Sequence, residues 1–230
     1  MPETWTRAVN AYNYPVTLSD YGRASEFPNH FMRTMAGDRA STIEFENYFR
    51  ANYGGSVEPY LEVVFWKLYS QANRCQKGTD RVVDHVLQTG VTAPDLRTAI
   101  DSFIGKPTEP NLSMLRALLG IKSQVLAVVL TFPAFVDPVG YPMIDRQTAR
   151  WITANLSIHN RNRRNLLTPF RFRYTSLRYN DFPNYLNWVR WCREVADVLT
   201  DSTDMEWRAR DIDMAVFTAA RERLPLNVLP

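Results

Sequence analysis

The segment YPMIDRQTARWI, residues 141–152, contains one carboxylate, Asp145, between an apolar stretch and two arginines. An aspartate in the first turn of a helix accepts backbone N–H bonds and lies at the positive end of the helix dipole, which favours its ionised form. Such a group either only caps its helix, or it also stabilises positive charge that develops on a substrate. One side chain can fill both roles, so the surrounding sequence has to indicate which applies.

The positive charge of the chain is concentrated after Asp145, although the net charge is only +3. No Asp or Glu occurs between Asp145 and Asp181, and Asn, Phe and Tyr residues are interleaved with the arginines. Arginine grips phosphate through two hydrogen bonds and aromatic rings stack on bases, so this mixture favours nucleic-acid binding. The alternative is a solvated loop whose arginines pair with carboxylates elsewhere, such as Glu194 or Asp211. The arginines are Arg146, Arg150, Arg161, Arg163, Arg164, Arg171, Arg173 and Arg178.

Hydrophobic residues recur at helical spacing through most of the chain, and no convincing alternating strand occurs. With 45% hydrophobic residues, this pattern predicts an all-α fold with a substantial core. Trp188, Trp191, Cys192 and Val195 are expected in that core. The spacing in EPYLEVVFWKLYSQANRC predicts another core helix, with a buried stripe formed by Leu61, Val64, Phe65, Leu68 and Ala72.

Helix starts are predicted from three residue pairs that have the spacing of a capping box. The pairs are Ser41 with Glu44, Thr92 with Asp95, and Thr203 with Glu206. In the last helix, Asp211 and Asp213 are expected on an exposed face, since charged positions on a surface helix are the common case.

At 230 residues the chain is long enough for one sizeable domain or two small ones. We expect residues 1–40 to form an arm packed on the domain, and residues 41–230 to form a single helical domain. Two helical halves of this domain would enclose a cleft, with the loop near residue 140 at its mouth. The two cysteines and three histidines lack metal-ligand spacing, and no apolar run is long enough to span a membrane. A cytoplasmic protein without a membrane partner is expected.

The segment LSMLRALLGIKSQVLAVVLTF, residues 112–132, consists of two apolar helical stretches joined around Gly120. A short connection of this kind predicts a helical hairpin. Backbone N–H groups at the start of the second helix would point toward a phosphate, where the helix dipole adds attraction. Lys122 and Ser123 would stand at that turn.

This hairpin, followed by YPMIDRQTAR, resembles the helix-hairpin-helix superfamily of base-excision DNA glycosylases. The resemblance is sharpest over residues 112–150 and extends more loosely to the helices from residue 58 onward and to a C-terminal helix pair. It implies that Asp145 is the catalytic carboxylate, which supports departure of the base and attack by water. It also implies a reaction without metal or organic cofactor. The hairpin residues that would bind DNA are Gly120, Ile121, Lys122, Ser123 and Gln124.

Three departures from the family refine this expectation. Lys122 replaces the second glycine of the hairpin, and a lysine tolerates positive φ poorly. Gln124 stands where the bifunctional members carry a Schiff-base lysine, which favours a monofunctional hydrolase without lyase activity. The cysteine-ligated iron–sulfur cluster of some members is absent.

The resemblance and the arginines together predict a protein that binds damaged or mismatched double-stranded DNA and removes or probes an extruded base. Gln71 could fill the gap that an extruded base leaves. The protein would act as a monomer, associated with the nucleoid in a bacterium or located in the nucleus of a eukaryote. The alternative is a non-catalytic nucleic-acid-binding or regulatory module on the same fold, and a third possibility is a protein-interaction scaffold. The arginines that would grip the DNA backbone are Arg146, Arg150, Arg161, Arg163 and Arg164.

Overall fold

The structure, a computed structural model, describes residues 2–69, 76–121, 126–159, 167–169 and 181–227. These residues are mostly helical, so the predicted all-α class is confirmed. The helices are α1 (Glu3–Asn10), α2 (Arg39–Asn52), α3 (Glu58–Tyr69), α4 (Gln76–Thr89), α5 (Ala93–Gly105), α6 (Glu109–Leu118), α7 (Leu126–Val129), α8 (Thr131–Val136), α9 (Arg146–His159), α10 (Phe182–Ser202) and α11 (Ala209–Glu222).

A small sheet that the sequence did not predict lies near the beginning of the chain. Strands β1 (Val16–Thr17) and β2 (Thr34–Met35) pair antiparallel, with Val16 opposite Met35. Two short 3₁₀ helices, Leu18–Asp20 and Ala24–Glu26, lie between them. Strands of two residues are too short to produce an alternating hydrophobic pattern, so the sequence contains no signal for them.

The chain divides into two compact units, and neither is continuous in sequence. Unit 1 contains Met1–Asn13, Val125–Ala127 and Asp137–Pro230, and unit 2 contains Tyr14–Gln124 and Val128–Val136. The predicted division into an arm and a single domain stays a prediction, as does the cleft between two halves. None of the described helices is long and apolar enough to cross a membrane.

The core of unit 2 is aromatic. The ring of Phe49 on α2 lies 5.2 Å from that of Tyr60 on α3 and 5.9 Å from that of Phe132 on α8. Leu61, Val64 and Phe65 of the predicted stripe are fully buried, but so are their neighbours, because α3 is enclosed on all sides from Tyr60 to Trp66. Leu68 is half-buried, and Ala72 lies outside the described residues.

The core of unit 1 is rich in tryptophan. Trp5 on α1 lies 6.0 Å from Trp191 on α10, which also stacks against Trp188 at 5.2 Å. The predicted burial of Trp188, Trp191, Cys192 and Val195 is confirmed. The Trp5 indole N–H donates to the Asn227 carbonyl at 2.9 Å, and this bond ties the beginning of the described chain to its end.

One of the three predicted helix starts is confirmed. Thr92 caps α5, and its hydroxyl accepts from the Asp95 N–H while the Asp95 carboxylate accepts from the Thr92 N–H at 3.0 Å. The start at Ser41 is wrong, because Asp38 caps α2 three residues earlier and accepts from the Ser41 N–H at 2.7 Å.

The start predicted at Thr203 is also wrong. Thr203 follows the end of α10, where its hydroxyl donates to the Leu199 carbonyl at 2.7 Å. The last helix, α11, begins six residues later at Ala209. There the Asp211 carboxylate accepts from the Arg208 N–H at 3.0 Å and so fixes the first turn.

Candidate active site

The first helix of the predicted hairpin is α6, and it ends at Gly120, whose backbone conformation favours glycine. Gly120 has a φ of +65°, its N–H donates to the Ala117 carbonyl at 3.0 Å, and the Ile121 N–H donates to the Arg116 carbonyl at 3.1 Å. This pair of bonds is the Schellman motif that closes many helices. A Cβ at Gly120 would also overlap the ring of His85 on α4. No other residue type fits this position without strain.

The remaining hairpin residues are only partly described. Ile121 is half-buried, and its carbonyl accepts from Arg116 Nη1 at 3.2 Å. Lys122, Ser123 and Gln124 lie outside the described residues. Helical structure is present again in α7 and, after Leu130, in α8. The predicted hairpin stays a prediction, because its connection includes residues outside the described ranges.

Asp145 stands where the sequence predicts it, immediately before α9. Its carboxylate Oδ1 accepts from the Thr148 N–H at 2.8 Å, and its carbonyl accepts from the Ala149 N–H at 3.0 Å. The predicted capping role is therefore confirmed. The side chain is half-exposed, and among the described residues Thr148 is its only hydrogen-bond donor. One carboxylate oxygen thus fixes the side chain, and the other has no hydrogen-bond partner among the described residues.

Two of the predicted arginines, Arg146 and Arg150, lie in the first two turns of α9, about one helical turn apart. Arg146 is half-exposed and Arg150 is exposed, and neither forms an ion pair with any residue in the described part of the chain. Residues four apart share one helix face, so both side chains leave the helix on the same side. They add positive charge to the face that follows Asp145.

The loop that leads to Asp145 is held from α10 by three side chains. Tyr185 Oη donates to the Pro142 carbonyl at 3.0 Å and Trp188 Nε1 donates to the Met143 carbonyl at 3.0 Å. Arg193 Nε donates to the Gly140 carbonyl at 2.7 Å. Burial raises the pKa of Tyr185 well above its usual value, so its hydroxyl stays a donor at neutral pH.

The same loop is held from α11 by a buried ion pair. Asp213 Oδ2 accepts from the Met143 N–H at 2.6 Å, and Asp213 Oδ1 pairs with Arg210. The expected exposure of Asp213 is wrong, since Asp213 is 3% exposed and Arg210 is completely buried. Met143 lies two residues before Asp145, so its contact with Asp213 determines where the backbone enters α9.

Sequence reasoning missed these supporting residues, because their burial depends on how α11 is enclosed within unit 1. Every residue of α11 from Ala209 to Val216 is buried, which leaves that part of the helix without a polar face. Polar side chains in such a helix have no access to water. Their burial costs free energy unless each has a hydrogen-bond or ion-pair partner within the protein. The expected exposure of Asp211 is wrong for the same reason. The carboxylate of Asp211 is fully buried and binds the Arg208 guanidinium at 2.9 Å.

Several predicted site residues cannot be placed. Most of the arginine stretch and Gln71 lie outside the described residues, so the predicted grip on the DNA backbone stays a prediction there. The alternative partner Asp211 already binds Arg208. Among the described residues, no group of three His, Cys, Asp or Glu side chains is arranged to hold a metal ion. The arginines in question are Arg161, Arg163, Arg164, Arg171, Arg173 and Arg178.

Unit 2 contains a separate buried acid, Glu62 on α3. Glu62 is completely buried, and its Oε1 lies 3.3 Å from Arg33 Nε, whose guanidinium stacks over the Tyr48 ring at 3.2 Å. Its Oε2 has no hydrogen-bond partner among the described residues. Burial raises the pKa of Glu62 to about 7, and the nearby Arg33 opposes this rise only in part.

Glu62 is expected to make the stability of unit 2 depend on pH near neutrality. Its folded-state pKa lies above the ordinary value of 4.5, so between these two values the folded state holds a proton that the unfolded state has released. This contribution is complete below about pH 4.5 and is lost as pH rises through 7, by about 3 kcal/mol at most. Glu62→Gln should remove this pH dependence. The stability of the variant relative to the wild type should therefore be higher at pH 8 than at pH 5.

Urea unfolding at the two pH values measures this difference. Glu44→Gln on the exposed face of α2 is the matched control and should leave the pH dependence unchanged. An equal stability difference between Glu62→Gln and wild type at both pH values would contradict the prediction.

Comparison of the chain with family models, with curated proteins and with solved structures finds no match. Any functional conclusion therefore depends on the residues themselves and on their geometry.

Proposed function

We propose that this protein is a monofunctional DNA glycosylase of the helix-hairpin-helix type, which hydrolyses the N-glycosidic bond of a base extruded from duplex DNA. The proposal depends on one observation above all: Asp145 is a half-exposed carboxylate held in a fixed position at the start of α9. A cap alone does not need the eight-residue loop before it, residues 137–144, to be fastened by two helices. That fastening supports a role in which the position of the carboxylate matters.

The proposed reaction needs one well-placed negative charge. As the bond between the base and sugar C1′ lengthens, its electron pair goes to the base, which takes a proton from solvent water, and positive charge grows on the sugar. The Asp145 carboxylate would stabilise this charge and accept a proton from the water that attacks C1′. The products are the free base and an abasic site.

The DNA-binding part of the proposal combines residues inside and outside the described part of the chain. Arg146 and Arg150, which form no ion pair with a described residue, supply positive charge on the face that follows Asp145. The backbone N–H groups of Lys122 and Ser123, which lie outside the described residues, would bind a phosphate, since those of Gly120 and Ile121 already donate to carbonyls of α6. The arginines from Arg161 onward would contact the backbone, and Gln71 would fill the gap in the duplex.

A panel of duplexes, each with one damaged or mismatched base, tests the proposed activity. We expect at least one duplex to release its free base, detected by mass spectrometry, and the DNA strand to break only after alkali treatment. Strand breakage without alkali would indicate lyase chemistry instead and contradict the monofunctional assignment. Absence of base release from the whole panel would favour the non-catalytic binding module.

A further inference from the structure

The loop that leads to Asp145 presents one apolar side chain to solvent, that of Val139. Val139 is 60% exposed, whereas Pro138 before it and residues 141–144 after it are buried. In the described part of unit 1 the other exposed large hydrophobic residue is Ile158, at 41%. A single exposed apolar residue is ordinary by itself. What distinguishes Val139 is the rigidity of the turn that carries it.

Val139 occupies the one position of this turn that lacks a typical turn residue. The turn has the sequence Asp-Pro-Val-Gly, residues 137–140. Aspartate, proline and glycine at the first, second and fourth positions are residues that tight turns favour. Valine at the third position is β-branched and apolar, and such residues are enriched in strands instead. The turn itself therefore does not account for a valine at its exposed position.

The backbone of the turn is fixed, because each of its four carbonyls accepts a hydrogen bond. The Asp137 carbonyl accepts from the Tyr141 N–H at 2.8 Å. The carbonyls of Pro138 and Val139 accept from the first two N–H groups of α11, at 3.0 and 3.2 Å. The Gly140 carbonyl accepts from α10, as described above. Helices α10 and α11 thus hold the turn in place while the valine side chain stays in solvent.

The Val139 side chain is stiff as well, since a β-branched residue has a restricted χ1 angle. A rigid side chain on a fixed backbone loses little conformational entropy when it binds. Asp145 follows six residues later, and six residues fully extended span about 20 Å. That length corresponds to about six base pairs of duplex at 3.4 Å each. Val139 and Asp145 can therefore contact the same short stretch of DNA.

An apolar side chain in this position suits a duplex from which a base is extruded. Extrusion costs the free energy of pairing and stacking of that base. Proteins that distort DNA offset such a cost by inserting an apolar side chain between neighbouring bases. Gln71, proposed above for the gap itself, lies outside the described residues.

We propose that Val139 is a positioning residue, which inserts at the base step beside the extruded base and so stabilises the state in which Asp145 acts. This inference rests on the proposed function, which makes an extruded base the substrate. Val139 does not touch the reacting atoms in this role. Its removal should therefore slow the reaction of a base that is stacked in the duplex, and not that of a base that is already unpaired.

Single-turnover base release from two duplexes tests this role. The same damaged base is paired in one duplex and unpaired in a bulge in the other. Val139→Ala should lower the rate about 10-fold on the paired duplex and less than about twofold on the bulged one. Val139→Leu keeps an apolar side chain and should retain the wild-type ratio of the two rates. The matched control, Ile158→Ala, removes an exposed apolar side chain from α9 and should change neither rate.

A fluorescent base analogue, 2-aminopurine, placed next to the target base reports unstacking without any base release. Saturating wild-type protein should raise its fluorescence, and saturating Val139→Ala should raise it less. Equal rates for Val139→Ala and wild type on the paired duplex, or an equal loss on both duplexes, would overturn the inference.

The fluorescence readout separates this inference from the proposed function. If the wild type raises the fluorescence but releases no base, the glycosylase proposal fails, and the comparison of Val139→Ala with wild type still decides the role of Val139. If the wild type leaves the fluorescence unchanged but releases a base, the glycosylase proposal stands and the insertion of Val139 is overturned. If the wild type binds no DNA, both are overturned.

Discussion

Asp145→Asn is expected to lower the rate of base release by about 10²- to 10⁴-fold while duplex binding is retained. The asparagine side chain still offers a carbonyl oxygen to the Thr148 N–H, so the start of α9 keeps its cap. What the variant loses is the negative charge that would stabilise the sugar cation and accept a proton from water. Single-turnover base release measures the first effect and duplex affinity measures the second.

Asp38→Asn provides a matched control for this experiment. Asp38 caps α2 in the same way, with its carboxylate accepting from the Ser41 N–H at 2.7 Å. The substitution should leave both stability and base release unchanged, because Asn and Asp are similarly good caps. Wild-type base release by a folded Asp145→Asn variant would show that Asp145 is a cap and no more.

Asp213→Ala is expected to give the largest loss of stability, about 3–5 kcal/mol, because it breaks a buried ion pair. The variant removes the carboxylate that binds Arg210 and accepts the Met143 N–H. Urea unfolding followed by tryptophan fluorescence is a suitable measurement. Five of the six tryptophans lie in unit 1, so the signal reports mainly on that unit.

Two further variants make this result specific. Asp201→Ala, at an exposed position on α10, should change stability by less than about 0.5 kcal/mol. Asp213→Asn keeps an acceptor for the Met143 N–H but loses the charge, so it should fall between wild type and Asp213→Ala. A loss below about 1 kcal/mol for Asp213→Ala would mean that this ion pair does not hold the loop.

The helices could be predicted from the sequence because their signals are local. The periodicity that predicted α3 is a property of one segment, and Leu61, Val64 and Phe65 are buried as expected. Capping was predicted less well because spacing alone does not choose between neighbouring candidates. Ser41 has the spacing of a cap, but Asp38 has the same relation to Ser41 and is the residue used. The Thr203 hydroxyl instead donates to the Leu199 carbonyl at the end of α10.

Only the part of the candidate site that is formed by residues close together in sequence could be predicted. Asp145 and its cap lie within one short segment, so sequence was sufficient to find them. Asp213 acts on Met143 across 70 residues, and no local pattern reveals such a pairing. Its burial depends on how α11 is enclosed within unit 1, which is a tertiary property that overrides the expectation for a charged residue.

The hydrogen bond between Trp5 and Asn227 has a consequence for how the chain folds as it is synthesised. Unit 1 combines α1 with segments that follow residue 124, so α1 cannot pack in unit 1 until α11 and Asn227 have been synthesised. Unit 2 is complete once residue 136 has emerged and can form while translation continues. The buried face of α1, which includes Trp5, Ala8 and Val9, therefore has no partner in unit 1 until those segments have been made.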